Sequence, residues 1–163
     1  RIALPGTDPA SAAAARPAAA DEPARDERER ARLLFVDDEA AILRWYRRYF
    51  GRTHDVALAE GGTQALAILA DRRDFDLVVS DVLMPDINGA ELYRRVKEAY
   101  PELAASFVFV TGGATPNEIA ELRTTGSPVL EKPIDVDLLS KIIARRSAAK
   151  TAPSPPPEGS GGE

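Results

Sequence analysis

Between residues 31 and 148, five short apolar runs alternate with five helical patterns, and that alternation leaves few architectures open. The runs are Leu33–Val36, 55–59 (DVALA), 75–81 (FDLVVSD), 106–113 (SFVFVTGG) and the short PVLEKP. Most are apolar at nearly every position, as strands covered on both faces are. The segment after Ala40 carries apolar residues at 42, 45, 46, 49 and 50, which reads as a helical stripe. Helical patterns follow over 63–73, 89–100, 115–126 and 135–146, with Pro101 stopping the third and Asp135 capping the last. Consecutive β-α units of this kind need crossover connections. They predict an α/β fold with a doubly wound, five-stranded parallel sheet and helices on both faces.

The flanks differ in composition. Residues 1–30 are dominated by Ala, Pro, Arg, Asp and Glu, and 149–163 by Pro, Gly and Ser, so both are expected to be disordered linker or tail around one domain at 31–148. A net charge of −5 argues against a nucleic-acid surface. The absence of cysteine excludes disulfides, thiolate metal sites and a cysteine nucleophile. With no apolar run of about 18 residues and no signal-peptide pattern, the segment is expected to be cytoplasmic and to make no membrane contact.

In an open parallel sheet, sites form beyond the carboxyl ends of the strands. The residues delivered there are Asp37 and Asp38 after the first strand, Asp81 after the third, Thr111 after the fourth and Lys132 after the fifth. Clustered carboxylates repel unless a hard divalent cation neutralises them, and an oxygen-only ligand set suits Mg²⁺. A lysine and a hydroxyl beside that metal fit an anion of the phosphate type.

These residues carry a family resemblance. The acid pair in VDDE, Asp81 in SDVLMPDINGAEL, Thr111 in FVTGGA and Lys132-Pro133 in LEKP are similar to the motifs of CheY-like receiver domains of two-component signalling. The likeness spans about 33–146 and implies a flavodoxin-like sheet of order 2-1-3-4-5 with five helices. It implies that Asp81 accepts a phosphoryl group from a phosphohistidine on a histidine kinase or phosphotransfer domain, a phosphoacceptor role rather than turnover catalysis. Asp38, Asp81 and the backbone carbonyl of Leu83 would hold Mg²⁺, with Asp37 acting largely through coordinated water. Lys132 would pair with Asp81 and then with the phosphoryl oxygens, Thr111 would donate its hydroxyl to them, and the Lys132-Pro133 bond would be cis. Where many members have an aromatic residue, this chain has Val129. Leu83 and Gly113 stand where some relatives place polar groups that orient a hydrolytic water. Arg1–Pro5 resembles the closing strand of a histidine-kinase ATP-binding domain, which points to the C-terminal receiver of a hybrid kinase.

Plainer readings stand beside these. An Asp at a strand end is a common turn residue, Thr111 can be a mere strand-end hydroxyl, and Lys132 can pair with its neighbour Glu131 on the surface. Trp45 fits core packing by its spacing from Ile42 and Tyr49; alternatively Ala41, Arg44, Trp45 and Arg48 form a partner-docking stripe. His54, the one histidine, reads as surface. A stand-alone response regulator, a phosphorylation-independent adaptor and an Asp-nucleophile phosphatase are the competing functions. The last usually carries a second acid two residues after the nucleophile, where this chain has Leu83.

Overall fold

The computed structural model describes residues 30–151. The expected linker and tail, including the kinase-like opening at 1–5, lie outside the described residues apart from their edges.

The described residues form β1 (Arg32–Val36), α1 (Ala40–Phe50), β2 (Asp55–Ala59), α2 (Gly62–Asp71), β3 (Leu77–Asp81), α3 (Gly89–Ala99), α4 (Pro101–Ala104), β4 (Phe107–Thr111), α5 (Pro116–Thr124), β5 (Val129–Glu131) and α6 (Val136–Thr151). All strand pairs are parallel and the sheet order is β2-β1-β3-β4-β5. Six helices are present rather than five. Pro101 does end α3, but proline suits a first helical turn, where its missing N–H costs nothing, so the chain re-enters a short helix at once. The last helix also runs past the expected boundary, to Thr151.

Strand side chains alternate between two cores. Leu34, Val36, Val78, Phe107 and Phe109 face one side, covered by Ala65, Leu69, Leu92, Val96, Leu103 and Leu122 of α2 to α5. Leu33, Phe35, Leu77, Val79 and Val108 face the other, under Leu43, Tyr46 and Phe50 of α1 and Leu139 and Ile143 of α6. The inward stripe of α1 is therefore 43-46-50, with the Tyr46 and Phe50 rings stacked on Phe35 at 4.1 and 5.4 Å. The core reading of Trp45 is corrected accordingly: it is 41% exposed and stacks outward on Tyr49, itself 50% exposed.

Local chemistry fixes the helix starts. Asn88 Oδ1 accepts the Glu91 N–H at the head of α3, and Thr115 with Glu118 makes a reciprocal capping box on α5. Asp135 Oδ1 accepts the Leu138 N–H at the last helix. Gly89 has a different task. A Cβ there would press on the Asp81 carbonyl oxygen and come within 2.9 Å of Val82 Cα, so α3 reaches the end of β3 only because position 89 has no side chain. Gly89→Ala should lower the urea unfolding midpoint by the equivalent of about 1–3 kcal/mol, the usual cost of forcing atoms into packed backbone. Gly113→Ala is the control. Its Cβ would meet only Leu83 Cδ1, at 3.5 Å, and its midpoint should barely move. Equal behaviour of the two variants would disprove this account.

Candidate functional site

The carboxyl edge of the sheet gathers the expected residues. Asp37 follows β1, its N–H donating to the Ala59 carbonyl at 3.1 Å, and it is buried, whereas Asp38 turns outward and is exposed. Asp81 ends β3 and Thr111 ends β4; both are buried. One carboxylate oxygen from each of Asp37, Asp38 and Asp81 can lie within 4.8 Å of the other two.

Lys132 arrives from beyond β5. Its N–H donates to the Thr111 carbonyl at 2.8 Å, and the bond to Pro133 is cis. The side chain runs over Gly112, whose Cβ would sit 3.3 Å from Lys132 Cδ, and its Nζ lies 3.2 Å from both Asp37 Oδ2 and Asp81 Oδ2. The lysine thus points inward, and its ion pairs are with Asp37 and Asp81, not with Glu131.

The electrostatics follow from burial and pairing. Burial pushes the Asp37 carboxyl up, against the Glu39 N–H bonded to it at 2.8 Å and the charge of Lys132. Burial works against the Lys132 ammonium, but Asp37 and Asp81 more than offset it and hold it protonated. Burial and then the charges of Asp37 and Asp81 push the Tyr46 hydroxyl up, so it stays neutral beneath the site.

Charge and donor type test the fit of Mg²⁺. Three ionised carboxylates against one ammonium leave two negative charges, which a divalent cation balances. The donors are all hard oxygens, as Mg²⁺ requires. Both Asp37 oxygens are engaged, one by Glu39 N–H and one by Lys132, while Asp38 has no hydrogen-bond or ion-pair partner among the described residues. The residues therefore fit the ion, with Asp38 freest to approach it.

The loop after β3 is anchored by a residue that sequence reasoning did not single out. Asp86 accepts from Thr63 N–H at 2.9 Å and Gly62 N–H at 3.3 Å, in the first turn of α2. The Thr63 N–H above all draws its carboxyl down to about 2, so it stays ionised and keeps the loop tied to α2. An Asp in a Pro-containing loop was the only available signal, and its partner lies 23 positions away. Leu83 is 47% exposed at the mouth of the site and Gly113 faces it. Thr111 Oγ1 accepts the Ala114 N–H at 3.0 Å. Val129 is partly buried against the α2–α5 core. Ala41, Arg44, Trp45 and Arg48 are all exposed on one face of α1. His54 is half-buried against Phe50 rather than on the surface.

Comparison with known proteins agrees with this geometry. The response regulator receiver domain profile matches residues 33–144. The transcriptional regulatory protein GlrR of Escherichia coli K12 is 30% identical over 114 residues, covering 69% of this chain and 25% of GlrR. The virulence sensor protein BvgS of Bordetella bronchiseptica is 34% identical over 134 residues, covering 77% of this chain and 11% of BvgS. The chain thus spans a quarter or less of those two relatives. Among solved structures, a receiver domain from Clostridium thermocellum superposes with a TM-score of 0.67 at 26% identity, covering 74% of this chain and 96% of that one. The chemotaxis protein CheY4 of Vibrio cholerae gives 0.62 at 28% identity, covering 71% and 98%. With the profile reaching all five strands, and the acids and the lysine at the strand ends where its fold puts a site, the chain belongs to the response regulator receiver domain family of two-component signalling.

Proposed function

We propose that Asp81 accepts a phosphoryl group in a Mg²⁺-dependent reaction with a phosphohistidine on a histidine kinase or phosphotransfer domain. The observation that carries this reading is the Lys132 ammonium 3.2 Å from a buried Asp81 oxygen, with Asp37 and Asp38 alongside. An Asp81 oxygen attacks phosphorus in line, the P–N bond breaks, and the imidazole leaves and takes up a proton. Asp38, Asp81 and the Leu83 carbonyl would hold Mg²⁺, and Asp37 would act through its water. When bound, the metal neutralises charge on the transferring oxygens. Lys132 pairs with a phosphoryl oxygen as the P–O bond forms, and the Thr111 hydroxyl rotates to donate to another. Leu83 presents methyl groups and Gly113 no side chain, so neither orients water for hydrolysis.

The similarity to BvgS, whose name describes a sensor, favours a place in a hybrid-kinase phosphorelay over a stand-alone regulator. The partner domain would meet the exposed stripe of Ala41, Arg44, Trp45 and Arg48 beside the site. Among the described residues no helix is long and apolar enough to cross a membrane, in keeping with work on the cytoplasmic side.

Metal titration followed by Trp45 fluorescence or calorimetry tests the reading. Asp37→Ala should weaken Mg²⁺ about tenfold, the scale of a group acting through a ligand's surroundings, and Asp38→Ala should weaken it more. Equal affinity in wild type and both variants would refute the assignment. Stoichiometric phosphorylation by acetyl phosphate in EDTA would refute the metal requirement itself.

A further inference from the structure

Two of the large apolar side chains left exposed on this domain sit together. Trp45, 41% exposed, and Tyr49, 50% exposed, stack at 5.4 Å on α1. Arg44 precedes Trp45 and Arg48 lies about one turn beyond it; both are exposed, and neither has a hydrogen-bond or ion-pair partner among the described residues. Single exposed apolar residues need no explanation. A stacked aromatic pair rimmed by unpaired cations has the composition of a contact surface.

The neighbouring elements fix which way the pair looks. α1 and α6 cover the same side of the sheet. Arg47 lies toward the edge strand, in a depression that it shares with Asp55 and Val56 of β2. Trp45 and Tyr49 are each two residues from Arg47, about 200° around the helix, so they look the other way, toward α6. The flank of α6 nearest α1 carries Ser140 and Ala144, which are small and exposed. A channel is left between the two helices, aromatic on one wall and small on the other.

The sequence beyond α6 supplies an occupant. The helix ends at Thr151, and Ala152 is followed by Pro153, Ser154, Pro155, Pro156, Pro157 and Glu158. Lys150 pairs with Asp76, just ahead of β3, at 3.1 Å, so the chain leaves α6 at the amino edge of the sheet, the edge at which α1 also ends. Residues 152–157 span about 19 Å at about 3.1 Å each in the polyproline form, enough to cross a helix spacing of about 8–10 Å and lie along both rings. Prolines pack on aromatic faces and hold the backbone in that form in advance, so little ordering is lost on contact. Glu158 carries the charge that Arg44 and Arg48 lack. Tethering raises the effective concentration into the millimolar range, so even a weak contact is populated.

We propose that the proline run at 153–157 folds back into the channel between α1 and α6, stacks on Trp45 and Tyr49, and seats Glu158 against Arg48. Arg44, Trp45 and Arg48 also belong to the stripe assigned above to the partner domain, so the seated run competes with that domain; this consequence rests on that reading, and the contact itself does not.

Trp45 is the chain's one tryptophan, so its fluorescence reports this face alone. Quenching of the full chain by acrylamide, a neutral probe, is measured at constant ionic strength and over a range of protein concentrations. Replacing Pro155, Pro156 and Pro157 together by Gly should raise the quenching constant about twofold or more, because both the rings and the preset backbone are lost. Glu158→Arg should raise it too, and adding Arg48→Glu should bring it back toward wild type, as only a direct contact allows. A retained thermal transition in each variant separates a lost contact from a lost fold. A quenching constant equal in wild type and the triple variant overturns the proposal. So does failure of Arg48→Glu to restore protection in the Glu158→Arg chain. A wild-type constant that rises on dilution assigns the face to a second copy of this chain and overturns the proposal as well.

Discussion

Asp81→Asn should abolish labelling by acetyl phosphate, with a fall of about three orders of magnitude or more, because it removes the attacking anion and leaves its surroundings in place. The amide keeps the shape of the carboxylate and can still accept the Leu83 N–H that Asp81 Oδ1 accepts at 3.2 Å. What it lacks is the charge that Lys132 faces and the nucleophilicity that phosphorus requires. Mass spectrometry of the intact chain after incubation with acetyl phosphate and Mg²⁺ reads the outcome directly. Wild type should gain one phosphoryl group and the variant none. A retained thermal transition in the variant separates lost chemistry from lost fold, and no loss of stability is expected, since one of three clustered carboxylates has been neutralised. Stoichiometric labelling of Asp81→Asn would move the acceptor elsewhere, with Asp37 and Asp38 the next residues to replace.

The parts of this molecule that could be read from sequence are those in which chemistry and position coincide along the chain. The strands are apolar runs because both their faces are covered, and each ends on the polar residue that the sheet edge exposes, so Asp37, Asp81 and Thr111 were legible. Lys132 was too, although its inward course depends on Gly112 leaving room for the stem. The orientation of α1 was not. Ile42, Trp45, Tyr46, Tyr49 and Phe50 make an apolar surface too wide for one buried stripe. Which part turns inward is decided by the Phe35 ring on β1, against which Tyr46 and Phe50 stack. The α4 turn was hidden because proline ends one helix and begins the next with the same ring. The tie between Asp86 and α2 was invisible because its two ends belong to separate elements, and no local pattern announces a contact that only the crossover connections create.

The lysine can be weighed apart from the chemistry. Lys132→Met should destabilise the metal-free protein by about 2 kcal/mol. Breaking a fully buried pair costs more, about 3–5 kcal/mol, because a charge is left uncompensated, and partial solvation reduces that figure here. The carboxylates are the buried partners, with side chains 2% exposed for Asp37 and 7% for Asp81, whereas the Lys132 side chain is 23% exposed. The loss therefore belongs to two acids stripped of their cation more than to a missing contact. Three results follow from that origin. Adding Asp81→Asn to the lysine variant should recover more than half of the loss, since one of the stranded charges disappears. Mg²⁺ should recover part of it by the same route, in proportion to its binding to the folded form. Lowering the pH should shrink it as well. Burial already raises the Asp37 carboxyl, and without the ammonium it rises further, so the cost is fully present above the folded-state value and is relieved as protons neutralise the group. Urea unfolding of the wild type and the single and double variants, in EDTA and in Mg²⁺, reads all three. If the double variant is as unstable as Lys132→Met alone, or less stable still, then the lysine acts through the packing of its stem over Gly112 and not through charge.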